Sequence, residues 1–88
     1  MRDNPAINAL VELANVPAPT HEGKRVIDPS HPVAQEWIAK TNSMTADVFK
    51  LMEEHRIPHH PKLKAQYDRG MLTGVEYAQA TLSQLFGA

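Results

Sequence analysis

Proline placement constrains this chain more than any other feature. Its seven prolines divide the sequence into stretches that can be helical and stretches that cannot. Pro5, Pro32 and Pro61 each open a run with helical periodicity. A proline tolerates the first helical position because the N–H it lacks would find no intrahelical partner there. Pro58 disfavours helical geometry at Ile57 and so ends a run. Between residues 16 and 32 stand Pro17, Pro19, Pro29 and Pro32, together with Gly23. No helix passes through such a segment.

Four helices follow from this punctuation. The first is predicted over residues 5–15, with Asn4 as N-cap and Ile7, Leu10, Val11 and Ala14 on one face. Residues 16–31 form a Pro-rich loop, in which Lys24–Ile27 reads as a short extended piece with no strand to pair with. Loops of this length in small domains tend to be functional or mobile. The second helix is predicted over 32–56, capped from Ser30 or His31. Ala34, Thr41, Val48 and His55 share one heptad position and Trp37, Met44 and Leu51 another, the spacing of a packing seam. The stretch Lys40–Thr45 is poor in helix formers, so a break near Asn42–Ser43 is the alternative. The third helix is predicted over 61–69, capped from His60 and stopped by Gly70. The fourth runs over 74–86, opened by a Thr73–Glu76 capping box and a Leu72–Tyr77 staple. The fold expected is therefore all-α, with three to four helices in a single domain over residues 1–88.

Charge and composition narrow the function. The net charge is −1, whereas nucleic-acid binders generally carry a basic excess for phosphate contacts. Lys62, Lys64 and Arg69 put some positive charge on the third helix. The fourth, which would have to read a groove, holds no Lys or Arg between residues 74 and 88. There are no cysteines, which removes disulfides, thiolate metal sites and cysteine nucleophiles. The apolar positions near the N-terminus are interrupted by Asn8 and Glu12, unlike a signal peptide. No apolar run reaches bilayer length. A cytoplasmic protein with no membrane partner is the expectation.

Residues 63–85 resemble the short C-terminal domain family known as SHOCT, through Leu63, Asp68, Gly70, Leu72, Thr73, Glu76, Tyr77 and Leu85. The resemblance implies a small helical hairpin used for association, often self-association. It supplies no catalytic residues.

Candidate chemistry is sparse. His55, His59 and His60 cluster around Pro58, and a loop metal site using them, with Glu54 or His31 as a further ligand, is conceivable. Pro58 interrupts the helix that would align His55 with His59, so no metal and no cofactor is expected. Glu53 and Glu54 are adjacent on a helix and face different sides. No nucleophile elbow, phosphate loop or His-Glu-x-x-His pattern occurs. An enzyme is therefore not expected.

A non-enzymatic protein working by macromolecular interaction remains: an adaptor, an assembly subunit or a stoichiometric inhibitor, of the size and build common in phages and mobile elements. The long second helix carries Trp37, Met44, Val48, Leu51 and Met52, side chains suited to association. They are the expected contact seam, self-association included. His21, Lys24 and Arg25 in the loop are the expected partner contacts. A nucleic-acid-binding regulator and a His-cluster metal or small-ligand binder are the alternatives.

Overall fold

Local side-chain chemistry starts most of the helices. Asn4 Oδ1 accepts hydrogen bonds from the Ala6 and Ile7 amides at 2.9 and 3.4 Å, and Pro5 follows it. His31 Nδ1 accepts from the Val33 amide at 3.1 Å, ahead of Pro32 in the first turn. Thr73 and Glu76 form the reciprocal box: the Thr73 hydroxyl accepts from the Glu76 amide, and the Glu76 carboxylate accepts from the Thr73 amide at 2.8 Å. His60 makes no side-chain capping bond, contrary to expectation. Pro61 alone sets the first turn there.

The computed structural model describes residues 4–87. In chain order it comprises α1 (Pro5–Ala14), β1 (Thr20–His21), β2 (Lys24–Arg25), α2 (Pro32–Glu54), α3 (Pro61–Asp68) and α4 (Gly74–Phe86). The fold is predominantly all-α, with a Pro-containing loop region between α1 and α2.

Two helices end in the same way. After α3, the Gly70 and Met71 amides donate to the Tyr67 and Gln66 carbonyls, the paired bonds of a Schellman motif. After α2, the Arg56 and Ile57 amides do the same to Glu53 and Met52. The left-handed residue there is Arg56, at φ +58°, not a glycine. The helix therefore stops at Glu54, two residues before the expected end, and Pro58 only prevents it from resuming.

The loop also holds structure that periodicity did not disclose. Lys24–Arg25 does have a partner: Thr20 pairs with Arg25 and His21 with Lys24 in an antiparallel ladder. Glu22 and Gly23 form the two-residue turn, with φ +54° and +78°, the double positive φ of the turn that suits strand twist.

α1 packs mainly on α4 and also on α2, with α3 set against α4. The core comprises Ala6, Leu10 and Leu13 from α1, Val48 and Met52 from α2, and Val75, Tyr77 and Ala78 from α4. Burying a leucine such as Leu10 contributes about 1.5–3 kcal/mol. The buried stripe of α1 is rotated from the expected face. Ala6 and Leu13 are covered, whereas Val11 is 42% exposed, because α4 and α2 clasp the helix over its Ala6–Leu10–Leu13 ridge.

α2 runs unbroken through Asn42–Ser43. Of the hydroxyls that make Lys40–Thr45 look weak, Ser43 is exposed and the two threonines are turned inward. Thr41 Oγ1 donates to the Trp37 carbonyl at 2.9 Å, and Thr45 Oγ1 to the Thr41 carbonyl at 2.6 Å. Each satisfies its buried hydroxyl within the helix. The two threonines, both buried, also keep this face of α2 low, and Gly74 of α4 comes down onto it. A Cβ at residue 74 would collide with the Thr45 hydroxyl and press on the Thr41 carbonyl.

Candidate interaction groove

The proline-rich segment is held to the helices at defined points. The Trp37 indole N–H donates to the Pro17 carbonyl at 2.7 Å, and the Val26 amide donates to the Pro19 carbonyl at 2.8 Å. Downstream, Asp28 Oδ1 accepts from both the amide and the hydroxyl of Ser30, at 2.9 and 2.7 Å. These bonds hold the exposed Asp28 carboxyl below the usual carboxylate range and turn the chain into α2. On the opposite side, Gln79 Nε2 donates to the Ala14 carbonyl at 3.2 Å, tying α4 to the end of α1.

Between these anchors lies an open groove of about 720 Å³. Val16, Ala18, Pro19, Val26, Ile27 and Pro29 form its loop side. Ala34, Trp37 and Ile38 come from α2, and Val75, Glu76 and Gln79 from α4, with Thr73 just before that helix. Arg25 sits at the hairpin rim. Ile27 is 88% exposed, and Ile38 also reaches solvent. A contiguous apolar lining with a few polar groups at its edge is what a binding surface requires. The Glu76 carboxylate is already engaged with the Thr73 amide, at a helix N-terminus that offsets negative charge. Arg25 and Lys24 form no ion pair among the described residues.

The expected contact seam on α2 divides in two. Val48 and Met52 are 2% and 0% exposed and belong to the core of this same chain, so no partner reaches them in this fold. Met44 and Leu51 are half-buried against that core. Trp37 alone lines the groove. Among the expected loop contacts, Arg25 reaches the groove, while His21 and Lys24 stand exposed on the hairpin beside it. His21 Nε2 lies 3.5 Å from Glu22, and its ring is 5.2 Å from that of His31. Ile27 and Ile38 were not singled out from the sequence. The signal available was the apolar pair Val26–Ile27 between prolines, where no helix could bury it.

The three corner histidines are splayed. His55 and His60 are exposed, and among the described residues no three His, Asp or Glu side chains converge on a metal position. Only His59 turns inward. Its Nδ1 lies 2.7 Å from the Tyr77 hydroxyl, and its ring meets Phe49 edge-on at 5.0 Å. Phe49, off the main seam of α2, is the hub of this cluster, meeting Tyr67 and Tyr77 edge-on at 5.3 and 5.1 Å. The Lys64 ammonium lies 4.8 Å from the centre of the Phe49 ring. Geometry of this kind comes from three helices at once and has no period in the sequence.

The fold and groove define a small helical protein with an open apolar groove walled on one side by a proline-rich strap. No helix among the described residues is long and apolar enough to cross a membrane. No family model, curated protein or solved structure matches the chain.

Proposed function

We propose that the chain is a non-enzymatic protein-interaction module, an adaptor, assembly subunit or stoichiometric inhibitor, and that the groove between the strap, α2 and α4 is its contact site. The observation that carries this reading is Ile27, 88% exposed at the edge of an apolar groove that also holds Trp37 and Ile38. A large apolar side chain left in water on a held segment gains from a partner that covers it. The occupant suited to the groove is a protein segment with apolar side chains and a carboxylate that meets Arg25 and Lys24. This differs from the expected seam along α2, most of which the chain spends on its own core. The α3–α4 hairpin is compatible with the SHOCT resemblance, and self-association through the groove is part of the proposal.

The test compares the wild type with Ile27→Asp, both checked for unchanged helix content by circular dichroism. Sedimentation equilibrium reads self-association, and capture from the native host reads other partners. The chain has one tryptophan, so a captured partner also reports through Trp37 fluorescence. Loss of association in Ile27→Asp supports the reading. Identical masses and identical captured proteins for the two chains overturn it.

A further inference from the structure

α3 is the least anchored helix. It has no fully buried residue, and its backbone packs against α4 alone. Its other ties are Leu63, half-buried against the core, and side-chain contacts to the aromatic cluster: Tyr67 edge-on to Phe49, the Tyr67 hydroxyl 3.4 Å from Asn42 Oδ1, and Lys64 over the Phe49 ring. His59 closes that cluster at the corner between α2 and α3.

The His59 ring is held in a way that favours its neutral form. Nε2 is buried without a hydrogen-bond partner. Two tautomers satisfy the Nδ1–Tyr77 bond. If the Tyr77 hydroxyl donates, Nε2 carries a buried proton with no acceptor. If Nδ1–H donates, the hydroxyl proton turns to Met52 Sδ, 4.0 Å away, and Nε2 keeps a bare lone pair, which costs less than a stranded donor. Protonation ends that choice. Both nitrogens then carry protons, Nε2–H is a buried donor with no acceptor, and the charge lies against the Phe49 and Tyr77 rings. A stranded donor on a partly desolvated charge is costly.

We propose that His59 is an acid-operated latch on α3: neutral, it closes the α2–α3 corner onto Tyr77 and Phe49, and protonated, it leaves the cluster and frees α3 from α4. The charged groups facing it are Lys64 and Asp68 from α3 and Glu53 from α2, and Tyr77 is the titratable group on α4. On its own segment His55, Arg56 and His60 are exposed. Burial, aided by Lys64 and opposed by Glu53 and Asp68, holds His59 below its ordinary value. The open form therefore takes up the proton first. The latch is closed above about pH 6.5 and weakens as the pH falls below that value. The proposal is independent of the groove reading, since none of these residues lines the groove.

Amide hydrogen exchange at pH 7.5 and 5.0, corrected for intrinsic rates, tests it. A severalfold fall in protection at pH 5.0, confined to α3 and absent in His59→Phe, is expected. An equal fall in His59→Phe, an even fall across all helices, or no fall in the wild type overturns the latch. If His59→Phe does not fold, ring resonances of the wild type decide. The Phe49, Tyr67 and Tyr77 signals must move in the same pH step as His59, and rings that stay still while His59 titrates refute the proposal.

Discussion

Replacing Gly74 with alanine tests the α2–α4 contact directly. Gly74 has no positive φ, so its role is room rather than conformation. An added Cβ meets the Thr45 hydroxyl, and the Thr41 carbonyl oxygen lies 3.2 Å from its position. Neither neighbour yields easily. The Thr45 hydroxyl is committed to the Thr41 carbonyl, and that carbonyl is helix backbone. Overpacking of this kind costs about 1–3 kcal/mol. Removing a helical glycine returns up to about 1 kcal/mol, and less at the first helical position. The net expectation is a loss of about 1–2 kcal/mol, or about 5–15 °C in Tm for a domain of this size. Thermal and urea unfolding followed by circular dichroism reads it. Thr45→Ala in the same background removes the hydroxyl but leaves the Thr41 carbonyl and the residue 45 Cβ close by. The double variant should therefore recover part of the loss, which appears as coupling in a double-mutant cycle. A neutral or stabilised Gly74→Ala, or strictly additive effects, would refute the close approach.

Two further outcomes follow from single residues. Arg56→Gly should stabilise the protein by about 0.5–1 kcal/mol, because Arg56 holds the left-handed position of the α2 terminus at φ +58°, where a Cβ is strained and glycine is not. A higher urea midpoint with an unchanged m-value is the expected signature. Burial pushes the Tyr77 phenol above its ordinary value, so the unfolded chain ionises first as the pH rises. Stability should decline above about pH 10, and Tyr77→Phe should flatten that decline.

Much of the architecture was legible because its causes are local. Asn4, His31 and the Thr73–Glu76 pair cap helices through bonds that span two or three residues. Pro5, Pro32 and Pro61 act within one turn. The ends were less legible: Arg56 takes a left-handed conformation that glycine usually marks, and no residue type announced it. The groove was half visible. Arg25 and the strap were in view, but Ile27 was not, since its exposure depends on what fails to cover it.

Local chemistry along the chain sets where helices start, that no helix crosses residues 16–31, and that the chain is helical. Tertiary structure decided how each face is used. The heptad seam of α2 could have met a partner; Val48 and Met52 meet α1 and α4 instead. The helix survives Asn42–Ser43 because Thr41 and Thr45 bury their hydroxyls against their own backbone under Gly74. Of three clustered histidines one is drawn inward, because Phe49 and Tyr77 offer His59 a ring and a hydroxyl. Caps and turns are short-range and readable in order. Burial is a property of whichever distant surfaces meet, and only the packed chain settles it.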